Sequence, residues 1–358
     1  MKPLIYKNKD YRSINLGMFN YIKGIAVLAL LFGHLADMAH LAAFGDETSW
    51  VRALIHNPVI PLFYIISGYG FTPGRRKGSL RRQLSSLWKT YTVTGICVVG
   101  GVLLTGRFFL PSWKETAIRS AQYAVGIILG LSYDLTVNGH YYGFGSGTVW
   151  YLVSLMECII LSSFLMKRFH EKTVGVISVL MTAAGCAAGC FIKLPFAIIP
   201  TAVGMGYFYL GYMLRRISFF RDTAPGKKSA LRPILVIVLL ILSVLSVQNG
   251  VFNLATCVWG RCPLGFLPAG AFGFLLVWAG VRVTSWEFPL KSAVMWLGHH
   301  SLVLIGIDTV AEHVLFWDRF SKMMPFPLLL LLFAGIIAIC YGLTELYRRL
   351  SNRIGFGR

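Results

Sequence analysis

The chain has 358 residues, 56% of them hydrophobic and only 13% charged, about half the roughly 25% of charged residues found in an ordinary soluble domain. That excludes a soluble enzyme and points to an integral membrane protein with many spans. The net charge of +20 sits in short basic clusters between apolar runs, the pattern of cytoplasmic membrane loops, so a nucleic-acid partner is set aside.

In chain order, apolar runs of spanning length fall at 18–42, 53–72, 88–106, 148–166, 173–191, 197–214, 233–248, 266–281, 292–312 and 326–347. The stretch after Lys23 follows more than twenty residues and reads as a first transmembrane helix rather than a cleaved signal. The runs at 233–248 and 266–281 are short for a span of about 20 residues, and flanking residues complete them. The segment 118–135, "IRSAQYAVGIILGLSYDL", is ambiguous by hydropathy, and the basic residues decide it. Suppose the N-terminus (Lys2, Lys7, Lys9, Arg12) is cytoplasmic and 118–135 does not cross. Then 26 of the 34 basic residues lie inside, including Lys167, Arg168, Arg215, Arg216, Arg282 and Lys291. A crossing at 118–135 would put Lys167 and Arg168 outside. The positive-inside rule therefore predicts an all-α polytopic protein with ten spans and both termini cytoplasmic. In this reading 118–135 is an outer interfacial or re-entrant helix. Residues 1–358 form one membrane domain, with a cytoplasmic segment over 1–17 and a basic tail over 348–358.

The first span, "KGIAVLALLFGHL", starts on Lys23 and carries His34 in its interior. Eleven residues at 100° each leave an offset of about 20°, so both lie on one helix face, about 16 Å apart along the axis. Two readings stand for each. Lys23 is a snorkelling anchor or part of a functional path. His34 is a satisfied interhelical histidine or a site residue, because ionisable groups inside a bilayer tend to line functional paths. Asp37 lies one turn on and can hold the imidazole in one tautomer, or simply mark the helix end. His40 reads as interfacial.

The second span ends in Ser67-Gly68-Tyr69-Gly70, then meets a basic loop with Arg75, Arg76, Lys77, Arg81, Arg82 and Lys89. That loop is a topology signal or a site for a phosphate-bearing polyanion. Glu157 lies about halfway through the span that opens "GSGTVWYLVSLMEC", either as a structural partner or as a site residue. "WLGHHSLVLIGIDTVAEH" holds His299, His300, Ser301, Asp308, Glu312 and His313, with no metal-binding spacing, so no metal site is expected. Of seven cysteines, five lie in apolar runs. Cys257 and Cys262 share one polar loop and can pair if it faces an oxidising compartment.

Several of these stretches match one family. "IKGIAVLALLFGHL", "FYIISGYGF" with Ser67, the basic loop, "VWYL" with Trp150, and "LGHHSL" with His300 and Ser301 resemble the acyltransferase-3 family of polytopic membrane O-acyltransferases. The resemblance runs from about Asn15 to Arg349 and implies ten core spans. It implies transfer of an acyl group, often acetyl, from cytoplasmic acyl-CoA to a carbohydrate of the cell surface or a secreted one. The family's first-span signature is a basic residue, ten others, then histidine. Lys23 and His34 fit it, which implies His34 as catalytic histidine and Lys23 as its basic partner, a lysine where arginine is usual. Asp37 and Glu157, read from their own positions and not from the resemblance, are the supporting candidates beside them. The family's R-x-x-R after the second span is incomplete here. Arg81 and Arg82 are present, Leu84 or Ser85 replaces the second arginine, and acyl-CoA contacts extend to Arg75, Arg76 or Lys89. Many relatives carry a histidine in the span after "HSL"; here the position is Asp308, to which the resemblance assigns no catalytic role.

The expectation is an inner-membrane O-acyltransferase, most simply an O-acetyltransferase, with acyl-CoA as co-substrate, a carbohydrate acceptor and no bound cofactor. Two alternatives stand: a carbohydrate or lipid transporter without chemistry, and an inactive homologue within a polysaccharide assembly complex. A transporter more often shows broken helices in two related halves, and no such repeat is visible.

Overall fold

The computed structural model describes residues 16–39, 49–73, 77–217, 219–220, 231–315, 317 and 325–354. The N-terminal basic residues, His40, Arg75 and Arg76 lie outside the described residues. What is described is almost entirely helical, with two short hairpins.

After a turn of 3-10 helix at Leu16–Phe19, α1 spans Asn20–Met38. The second apolar run forms two helices, α2 (Trp50–His56) and α3 (Val59–Gly70), separated at Asn57-Pro58. Proline lacks an N–H and disfavours helix in the residue before it, so the break falls there. Helix α4 runs from Lys77 to Phe109, 33 residues. At 1.5 Å per residue that is about 50 Å, against a hydrocarbon core of about 30 Å, so one end must project from the bilayer. Helix α5 (Trp113–Ile128) has 16 residues, is capped by Ser112, and packs on α4. Hairpin strands β1 (Leu135–Val137) and β2 (His140–Gly143) follow. Then come α6 (Trp150–Arg168), α7 (Glu171–Gly189), α8 (Ile198–Arg216) and α9 (Leu231–Gln248). Strands β3 (Phe252–Asn253) and β4 (Val258–Trp259) make a second hairpin. The chain ends with α10 (Phe266–Val283), α11 (Lys291–His299), α12 (Ser301–Val314) and α13 (Phe326–Ile354).

Among the described residues, six helical stretches are long and apolar enough to cross a membrane, α2 and α3 counting as one. The α11–α12 pair makes a seventh if its bent halves form one span. Helix α5 is not among them, and α9 and α13 contribute shorter apolar stretches. Outward faces fit a lipid surround: α7 exposes Val176, Val179 and Leu180, and α9 exposes Ile237, Leu240, Ile241 and Val244. Such faces are stable in hydrocarbon and costly in water. The core lies between α1, α3, α6 and α8, where Leu35, Leu62, Tyr64, Leu152, Met205 and Phe208 are fully buried.

Three expectations change. The run 292–312 is not one helix: α11 and α12 meet at 75°. The cause is local, because the His300 backbone leaves helical geometry (φ −97, ψ 12) and its Nδ1–H donates to the Trp296 carbonyl at 2.9 Å. The same carbonyl also keeps the His300 N–H at 3.1 Å, so the imidazole adds a second donor to the last turn of α11 where the backbone leaves the helix. Cys257 and Cys262 are both free thiols, so the pairing considered for that loop is not formed. The run 53–72 is broken, and Asn57 at the break is buried and fully engaged. Its Nδ2 donates to Ser246 O, Ser246 Oγ and Gly250 O, and its Oδ1 accepts from Phe252 N–H. One amide thus fixes the end of α9 and strand β3 to the α2–α3 break.

Candidate active site

The loops before β1, between β2 and α6, and around β3 gather at one end of the helices. They enclose, with α1, α2 and α12, a cavity of about 340 Å³. Its walls include His34, Asp37, His56, Thr148, Trp150, Glu312 and His313. The volume lies at the small end for ligand sites, and the walls are more polar than is usual for them.

His34 arrives on α1 with its side chain 20% exposed, and Asp308 on α12 is fully buried. The imidazole Nδ1–H donates to Asp308 Oδ2 at 2.7 Å. Thr148, in the 3-10 turn Gly147–Val149 before α6, donates from Oγ1 to the same oxygen at 3.3 Å and lies 3.4 Å from Nδ1. A carboxylate can only accept, so this contact puts the proton on Nδ1 and leaves Nε2 as the basic nitrogen. The turn reaches so close because Gly147 has φ +59 and no side chain. A Cβ there would fall 2.6 Å from both His313 Cε1 and Thr309 Cγ2.

The comparisons agree with what the motifs suggest. A family model described as an acyltransferase domain, that of the acyltransferase-3 family, matches residues 17–345. The chain belongs to the acyltransferase-3 family. It is therefore a membrane acyltransferase by family. No curated protein and no solved structure matches it.

Within this acyltransferase, the structure distributes the sequence-predicted residues unevenly. His34, Asp308, Asp37 and Trp150 are brought together at or beside the cavity. Asp37 does not hold His34, as the sequence reading allowed. Its carboxylate lies 3.1 Å from Arg52 Nε and 3.3 Å from His56 Nε2, both on α2. The reason is direction: Asp37 is three residues past His34 and turns to α2, while Asp308 reaches His34 from α12. Lys23 is half-buried and does not line the cavity. Glu157 accepts from Thr201 Oγ1 at 2.7 Å. With Ser154 and Tyr64 it forms a polar chain joining α3, α6 and α8, outside the cavity lining. Ser67 Oγ lies 3.5 Å from Tyr151 OH, away from the cavity. His300 caps α11 and packs on Trp296 and Tyr341, and Ser301 starts α12. Arg81 and Arg82 are exposed in the first turns of α4.

Three contributors were missed. Thr148 sits in a glycine-rich loop with no chemical signature. His56 carried a usable signal, a histidine in an apolar run, the same signal that singled out His34. Arg215 is a structural cation: it donates to the Tyr69 and Phe71 carbonyls and to Thr72 Oγ1, closing the end of α3. Among the described residues, no group of three or more His, Cys, Asp and Glu side chains is placed to hold a metal ion.

Proposed function

We propose that this acyltransferase moves an acyl group, acetyl in the simplest case, from cytoplasmic acyl-CoA to a carbohydrate hydroxyl presented at the outer face of an inner membrane. The observation that carries this reading is the His34–Asp308 pair beside a cavity walled by the loops that charge asymmetry assigns to the outside. Ten spans and two cytoplasmic termini are part of the reading. They place Arg81, Arg82 and the basic loop before them on the side of the acyl-CoA phosphates, where arginines bind well. Lys23 then stands at the inner end of α1, about 16 Å from His34 along the helix, on the approach of the donor.

The chemistry follows from the pair. His34 Nε2 accepts the proton of the acceptor hydroxyl as its oxygen attacks the thioester carbonyl. The carbon–sulfur bond breaks, and the CoA thiolate takes the proton back from the imidazolium, so the products are the ester and the free thiol. Asp308 keeps the ring in the Nδ1–H tautomer and stabilises the transient positive charge, as a carboxylate behind a catalytic imidazole does. Thr148 fixes the carboxylate in turn.

The test compares surface carbohydrates by mass spectrometry from cells with the wild-type chain, with His34→Ala, and without the chain. Loss of an acyl mass in both altered cells, with His34→Ala present in the membrane at normal level, is expected. Retained acylation with His34→Ala would remove His34 from the chemistry. An unchanged acyl content without the chain would favour transport over transfer.

A further inference from the structure

A second imidazole stands on the cavity wall. The ring of His56, the last residue of α2, lies 6.2 Å from that of His34, centroid to centroid, with the planes 32° apart. It is held from behind. Its Nε2 is 3.3 Å from Asp37 Oδ2, and the other Asp37 oxygen is 3.1 Å from Arg52 Nε. The helix it rests on is shaped to admit it: a Cβ on Gly33 would fall 2.9 Å from His56 Cε1 and 3.0 Å from its Nε2. The residue directly before His34 is thus reduced to backbone where the second ring lies. Ionisable groups inside apolar helices are costly, and an arginine, an aspartate and a histidine are gathered here at once. An Arg–Asp pair alone would tie α1 to α2 without an imidazole at the cavity.

We propose that His56 is a second acceptor-binding residue, which hydrogen-bonds a hydroxyl adjacent to the one that His34 deprotonates. Two imidazoles side by side, each backed by a carboxylate, suit an acceptor with neighbouring hydroxyls, and a lone hydroxyl is held by only one of them. Asp37 and Arg52 are positioning residues in this arrangement, setting the charge behind the ring of His56 at ion-pair distance, a looser hold than the hydrogen bond from His34 to Asp308. The proposal rests on His34 being the base.

The test uses the full chain in lipid nanodiscs with acetyl-CoA. Its acceptors are methyl hexopyranosides and their mono-deoxy analogues, with products read by mass spectrometry. The wild type is expected to prefer a parent glycoside over one of its deoxy analogues by about tenfold in kcat/KM, the worth of one hydrogen bond. His56→Ala should bring the two acceptors to near equality, chiefly by raising KM for the parent. His56→Gln, which keeps a hydrogen-bonding group, should retain part of the preference. A preference intact in His56→Ala, an equal loss on parent and deoxy acceptors, or no transfer by the wild type to any of these glycosides overturns the proposal. Failure of the underlying reading looks different: His34→Ala would then transfer at the wild-type rate.

Discussion

Replacing Asp308 separates two things its carboxylate does for His34. The hydrogen bond from Nδ1–H to Oδ2 is short, at 2.7 Å, and shielded, with Asp308 fully buried. A bond to a charged acceptor contributes about 1.5–3 kcal/mol, against about 1 kcal/mol for a neutral one. Asp308→Asn exchanges the first for the second. Thr148 Oγ1 donates to the same oxygen, so an asparagine turns its carbonyl, not its NH2, toward Thr148 and His34. The tautomer is then kept, and only the charge is lost. The difference of about 0.5–2 kcal/mol corresponds to a fall of roughly 2- to 30-fold in rate. Asp308→Ala loses the acceptor as well, and with it the tautomer and ring orientation, for a fall of about 10²–10⁴. The measurement is the initial rate of label transfer from radiolabelled acetyl-CoA to membrane carbohydrate, at saturating acetyl-CoA and matched protein level. Asparagine as damaging as alanine would refute the tautomer argument. Alanine at the wild-type rate would refute the pair.

Two further predictions concern the walls of the site. Gly147→Ala places a side chain at positive φ and against His313 and Thr309, a backbone strain of about 1–3 kcal/mol; it should displace Thr148 and lower both melting temperature and transfer rate, and an unaltered rate would exclude the turn from the site. In the loop after β3, burial pushes the Cys257 thiol up to about 11, while Cys262 is exposed. In single-cysteine variants at neutral pH, an impermeant maleimide added outside should label Cys262 readily and Cys257 slowly, with Cys257 gaining as pH rises toward its higher value. Labelling of Cys262 from the cytoplasmic side alone would reverse the assigned orientation.

The helices were largely legible because lipid-facing and core-facing residues are both apolar, and long apolar runs announce themselves. His34 was legible for the opposite reason, as an ionisable group in such a run. Its partner was not. Asp308 is 274 residues away, and nothing local distinguishes a carboxylate that meets His34 from one, such as Asp37, that turns to a neighbouring helix. Nearness in sequence favoured Asp37; the packing of α12 on α1 decided for Asp308. The break at His300 left a trace, since Gly-His-His-Ser interrupts the apolar run between Leu297 and Leu302, but a polar interruption alone does not tell a bend from a straight span with a polar patch.

The four contacts of Asn57 bear on how this enzyme can be altered. They tie the hairpin that walls the cavity to the turn that carries His56. The outer loop is therefore not a detachable module. A loop of another length or sequence, transplanted between α9 and α10, must also supply a carbonyl and an N–H at the spacing of Gly250 and Phe252, with Ser246 kept at the end of α9, or the break at position 57 shifts and His56 with it. Changing what the enzyme accepts by loop exchange thus calls for moving α2, Asn57 and the hairpin together, as one inherited block.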